Sequence, residues 1–177
     1  NYTLDMAFVD AMQHLTERMP EPPKCLLKRA ARNLVEALKL LRAACKEWRK
    51  ESDESALHEV RIQFKKFRYA CELYAPLYGP GMDDYIARVK AVQDVLGDWN
   101  DWRVLRDELT QLAHTVGKVQ SKRFNVLAEL CGKRAESFLT AFDDTAAPLL
   151  NKPERKNFQA FLETPTAACC RQKNSET

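Results

Sequence analysis

Glycine is scarce in this chain, with five residues in 177. That leaves little material for the tight turns of a β-rich protein and none for a glycine-rich phosphate loop. Cysteines at metal-finger or redox spacing are missing as well: Cys25, Cys45, Cys71 and Cys131 stand far apart, and only Cys169 and Cys170 are neighbours. No apolar run reaches the roughly 18 residues of a membrane span, and no signal segment is visible. Segments of strand period are lacking. Neither a nucleophile elbow nor a Walker loop occurs, and no cysteine–histidine constellation can be argued by spacing. The expectation is a protein with no catalytic residue, no metal and no cofactor.

What is present is helical material. Apolar residues make up 45% and charged residues 30%, the balance of a folded globular chain. Proline and glycine punctuate it into helices predicted over residues 3–18, 24–50, 54–77, 83–115 (bent near Gly97), 118–143 and 154–162. Leu27, Leu34, Leu38, Leu41, Cys45 and Trp48 form one apolar stripe; Leu57, Val60, Phe64, Phe67, Cys71 and Tyr74 form the next. Short connections between long helices predict an all-α fold: an up-down four-helix bundle with an extra N-terminal helix and a short C-terminal helix. It is read as one domain over residues 1–163, with its core at 24–143 and a disordered tail at 164–177.

The net charge of +3 conceals an asymmetry. Between Lys24 and Arg68, thirteen Lys/Arg face six Asp/Glu, while the remainder carries fifteen against nineteen. A basic face on a mildly acidic body points to an anionic partner. At 100° per residue, His58, Arg61, Lys65 and Arg68 share an arc of about 80° beside the apolar stripe. In the preceding helix Lys24, Lys28, Arg32, Lys39, Arg42, Lys46, Arg49 and Lys50 share an arc of about 100°. An ordinary solvated face alternates charge at i,i+4, because like neighbours cost a few tenths of a kcal/mol, about 0.2–0.5 per pair. Here Lys28/Arg32, Lys39/Arg42, Lys46/Arg49 and Arg61/Lys65 repeat one sign. Arginine offers a planar fork to phosphate oxygens, lysine a mobile point charge, and His58 a further donor. Phe64, Phe67 and Trp48 fall on the core-facing arc, so the rail lacks the aromatics that stack on bases. A ligand without bases is favoured. Nucleic-acid backbones and an acidic protein surface stand as alternatives.

The stretch "LHEVRIQFKKFRYACELYAPLYG" resembles a signature helix of the CHAD family, with its His-x-x-Arg, basic residues a turn later, and Arg-Tyr. His58, Arg61, Lys65, Lys66, Arg68 and Tyr69 stand at those positions. A second family signature is similar to "VQDVLGDWNDW", at Gln93, Leu96, Gly97 and Asp101. The resemblance covers about residues 24–143. It implies two pseudo-repeated four-helix bundles around a basic channel, inorganic polyphosphate as the ligand, and no catalysis by the domain itself. Under it the polyphosphate-binding residues are His58, Arg61, Lys65, Arg68, Lys28, Arg32, Lys39, Arg42 and Lys46. Asp101 is a structural partner for basic side chains of a neighbouring helix.

Only one His-x-x-Arg helix occurs, so the chain is either the C-terminal repeat of a longer protein or a single-bundle variant; it opens on Asn1 rather than Met. A first repeat, or a fused triphosphate-processing domain, is then an expected partner. Separated cysteines point to a reducing compartment, hence the cytoplasm, with polyphosphate granules as a candidate location. His14 and His114 have no ligand partner at helical spacing and read as surface or core-edge residues. Trp99 and Trp102 are expected to pack against neighbouring helices.

Overall fold

Leucine and its apolar neighbours recur in this chain every third or fourth residue, and each such stripe becomes one buried helix face. The computed structural model describes residues 24–164. They form α1 (Lys24–Glu51), α2 (Glu54–Tyr78), α3 (Pro80–Thr115), α4 (Lys118–Leu150) and α5 (Lys152–Glu163), with no strand among the described residues. The expected helix over residues 3–18, His14, and the tail beyond Thr164 with Cys169 and Cys170 lie outside that range.

Two compact units divide the chain. The first holds the described residues up to Val89 and those from Leu150 onward; the second is Lys90–Leu149. The first is built on the α1–α2 hairpin. Leu34, Leu38, Leu41, Cys45 and Trp48 of α1 are buried, as are Leu57, Val60, Phe64, Phe67 and Cys71 of α2. Cys71 is sealed in so fully that burial pushes its thiol far above the usual range, which leaves it an inert apolar filler.

Only Ser52 and Asp53 separate α1 from α2. Ser52 takes a left-handed φ of 54° and donates its amide to Trp48 O at 2.7 Å, ending α1 with a cap that glycine more often provides. Asp53 then opens α2, its carboxylate accepting from the Ala56 amide at 2.6 Å and the Ser55 hydroxyl at 3.0 Å. Those donors hold the Asp53 carboxyl below its ordinary range. At the far end Gly79 adopts φ 66° and ψ −156°, a region nearly closed to other residues, and donates to Ala75 O.

Two boundaries differ from the sequence expectation. Helix α3 starts at Pro80 rather than at 83, because proline's fixed φ and missing N–H suit the first helical position. Helix α4 runs through Pro148 to Leu150 rather than stopping near 143. Gly97 interrupts nothing, since α3 is continuous through it. The N-cap Asn151 accepts from the Glu154 amide at 2.7 Å and starts α5.

An aromatic cluster clasps α5 inside the first unit. Phe158 lies 5.7 Å from Phe67 and 4.6 Å from Tyr85 between ring centres, both edge to face. Arg88 reaches Glu154 at 2.6 Å and lies over the Tyr85 ring. Gly81 leaves room for Phe161, since a Cβ there would come within 2.6 Å of its ring.

Replacing Phe158 by Ala should destabilise the first unit by about 3–5 kcal/mol, read from urea denaturation, with Phe158→Leu costing distinctly less. Asp53 supplies a pH signature. Its folded pKa is depressed, so the cap's contribution is present above the unfolded value and fades as pH falls through the folded one. Melting temperatures of Asp53→Ala should therefore converge on the wild type in acid, and a constant offset would refute the cap.

Candidate functional site

Each cation of the α2 rail follows a buried residue by one position: His58 after Leu57, Arg61 after Val60, Lys65 after Phe64, Arg68 after Phe67. One step is 100°, so packing of the stripe sets all four at the shoulder of the seam. The same rule operates in α1, where Lys39, Arg42, Lys46 and Arg49 follow Leu38, Leu41, Cys45 and Trp48.

The two rails share one flank. The short connection makes α1 and α2 antiparallel, and Asn33 donates to the Tyr74 hydroxyl at 2.8 Å across the hairpin. Asn33 and Tyr74 lie on the other side of their apolar stripes from the cations. Turning in the same sense from the seam of two antiparallel helices leads to the same flank, which is how Asn33 and Tyr74 meet. The rail of His58, Arg61, Lys65 and Arg68 and that of α1 thus both border the opposite flank of the hairpin.

On the α1 side Arg42, Lys46, Arg49 and Lys50 line an open groove of about 510 Å³, bounded by Cys45, Ala43 and Leu150. No α2 cation lines it. Arg42 is half-buried and donates to the Leu150 carbonyl and, at 3.3 Å, to the Asn151 carbonyl, capping the C-terminal end of α4. Lys50 pairs with Glu47 at 2.8 Å, and Lys39 with Glu36 at 3.4 Å, both exposed. Each such pair is worth little. Lys28, Arg32 and Lys46 are exposed and make no ion pair among the described residues.

On the α2 side His58 is exposed, whereas Arg61, Lys65 and Arg68 are half-buried. Arg61 and Lys65, one turn apart, have no carboxylate partner among the described residues. Arg68 has its Nε 3.6 Å from Glu72, close enough for attraction but too far for a hydrogen bond, and that Nε is buried without a hydrogen-bond partner.

Asp101 does not form the expected pairing. It is exposed on α3 and makes no ion pair with a described residue, while Arg103 and Arg106 engage Asp107 at 3.1 and 2.7 Å. Trp99 is buried and Trp102 half-buried. Phe64, Phe67 and Trp48 are buried as expected.

Tyr69 stands in the family signature but was not among the expected ligand residues. It is 38% exposed, and the Arg68 guanidinium lies 4.9 Å from its ring centre. Its place next to Arg68, off the apolar arc, was the available signal. Arg49 and Lys50 were in the basic arc but not among the expected ligand residues. Leu150 carried no signal, because α4 was expected to end before it.

A family model described as CHAD domain matches residues 5–110, more than half of the chain. The match starts earlier than the sequence resemblance and stops within α3. No curated protein and no solved structure matches.

Removing the Arg42 guanidinium with Arg42→Ala should cost about 1.5–3 kcal/mol, the range for hydrogen bonds from a charged donor, with faster amide exchange in the last turn of α4. Unchanged exchange there would rule out the cap.

Proposed function

The chain belongs to the CHAD domain family, and from that premise we propose that it binds inorganic polyphosphate on its basic helix flanks without transforming it. The observation that carries this reading is the Arg61–Lys65 pair: two half-buried cations of one sign, one turn apart, with no carboxylate partner among the described residues. Charge placed so is costly in the free protein and gains most from an anion. His58 and Arg68 extend the pair to ten residues of helix, about 15 Å. A linear chain of phosphates offers charge at regular intervals along such a rail and needs no base recognition.

The α1 cations supply a second stretch on the same flank of the hairpin. A polyphosphate laid along that flank meets both helices. Binding of this kind involves no bond-making step, which is the sense of a non-catalytic role. A first repeat, or a triphosphate-processing domain elsewhere in the same assembly, would add a facing wall and raise affinity through effective concentration. Within cells the protein would gather in the cytoplasm where polyphosphate accumulates, granules included.

One observation favours a second reading. Exposed Tyr69 beside Arg68 could stack a nucleobase, which suits single-stranded nucleic acid. Competition at equal phosphate concentration separates them: displacement of a labelled polyphosphate by unlabelled polyphosphate but poorly by RNA or DNA supports the first reading, and the reverse supports the second.

The polyphosphate reading makes graded demands on mutants. Arg61→Glu with Lys65→Glu should weaken polyphosphate binding roughly hundredfold while leaving helicity intact by circular dichroism. Lys46→Glu, on the α1 side of the same flank, should weaken binding further when added to that pair. Raising salt should weaken wild-type binding steeply, since anion binding by cations releases counterions. Binding indifferent to the Arg61/Lys65 reversal would refute the assignment.

A further inference from the structure

The second unit carries a feature that polyphosphate binding does not use. Its α4 segment buries Ala128, Cys131, Ala135 and Phe142 on one face. On the opposite face Val119, Val126 and Leu130 are 69%, 58% and 56% exposed. A single exposed aliphatic residue is ordinary, but here they recur in a row: Val119, Arg123, Val126, Leu130, Lys133 and Ser137. The steps are four, three, four, three, four, the spacing of a helix-packing seam. Lys122 and Arg134 flank it, so the row is apolar and basic.

The outward face of α3 within the same unit has the same spacing and the opposite charge: Asp94, Asp98, Asp101, Leu105, Glu108 and Leu112. Leu105 and Leu112 are 41% and 47% exposed. None of the four carboxylates has an ion-pair partner among the described residues. Laid antiparallel, the rows match at four of their six positions, with Leu130 opposite Asp101 and Ser137 opposite Asp94. Leu112 falls opposite Val119, Glu108 opposite Arg123, Leu105 opposite Val126, and Asp98 opposite Lys133, with Arg134 within reach of Asp101. No other sliding of the rows by a heptad keeps both apolar and both charged pairings. Lys133 holds Glu129 at 2.7 Å, but that pair is exposed and easily exchanged.

Within one chain these faces look away from the buried side of the hairpin, so they do not satisfy one another. We propose that they satisfy each other between two copies: the basic-apolar face of α4 in one copy docks on the acidic-apolar face of α3 in a second. An anionic membrane or an unrelated acidic protein would meet the α4 row but leave the α3 row unexplained. A second copy accounts for both rows with one register. Such a contact is head to tail, because the two surfaces differ, and it leaves one face of each kind free to extend the assembly. The inference stands apart from the polyphosphate reading, whose cations lie in the first unit.

The test is the association state of the full 177-residue chain, by sedimentation velocity over a roughly hundredfold range of concentration. The wild type should associate more as concentration rises. One variant reverses α4 (Lys122→Glu, Arg123→Glu, Arg134→Glu) and another reverses α3 (Asp98→Lys, Asp101→Lys, Glu108→Lys). Each alone should self-associate about tenfold more weakly or worse, with helicity preserved. Mixed together, the two should associate in equal proportion, because the unaltered α3 face of the first meets the unaltered α4 face of the second and the two reversed faces also complement each other. Val126→Ser with Leu130→Ser, which leaves the charges alone, should also weaken association. A wild type that stays monomeric throughout, including one whose α4 face instead binds anionic vesicles, overturns the proposal. So does association that survives either reversal, or a mixture that fails to recover it.

Discussion

The seam between α1 and α2 constrains almost everything else in the first unit. Leu34, Leu38, Leu41 and Cys45 are held against the side where Leu57, Val60, Phe64 and Phe67 are buried, and the two-residue connection leaves little freedom in register. Packed interiors tolerate few voids, so sliding one helix by a residue would expose the whole stripe. The cations inherit their positions from that seam. Because each follows a buried residue by one step, neither rail can move without unpacking the core. The arrangement of the cations is therefore as rigid as the apolar packing beneath it, and under the proposed function such a surface would not have to order itself at the moment of binding.

Electrostatics gives that placement a cost. Exposed cations such as Lys28 or Lys46 repel one another weakly through water and salt. Arg61 and Lys65 are different, since partial burial strips solvent and strengthens the repulsion between them. Glu72 offsets Arg68 in part, at 3.6 Å, and nothing among the described residues offsets the other two in that way. A surface evolved only for stability would place Glu at such a position, as α1 does with Glu36 and Glu47 beside Lys39 and Lys50. The contrast lies within a single hairpin, so it does not depend on composition or overall charge.

The helices and the identity of the cations were legible in the sequence because both rest on periodicity, a local property. Leucine spacing located the buried face of α1 and α2, and one further step of 100° located the rails. The relation between the rails follows from the same periodicity once the short connection makes the helices antiparallel, because reversal of direction sends equal angles to one shared flank. Pro148 misled: proline is a helix breaker on average, yet two residues from a terminus it forgoes one hydrogen bond in a turn whose carbonyls are partly supplied by Arg42. Asp101 was assigned a partner on a neighbouring helix from its motif position, but it stands on the outward, exposed face of α3.

Burial explains why the same chain can carry two unlike surfaces. In the first unit the apolar stripe of each helix is covered, and charge is displayed at its shoulders. In the second, α4 has an apolar stripe on both sides, and only one is covered. Leaving Val119, Val126 and Leu130 in water forgoes the transfer energy their burial would provide, about 25 cal/mol for each Å² of apolar surface. Random drift would be expected to scatter such residues, whereas here they keep a seam spacing, and the outward face of α3 carries a row of the same spacing and opposite charge. Periodicity on the covered face is explained by the core of this chain. Periodicity on the outer face needs a second surface with the same repeat, and the outer face of α3 has one.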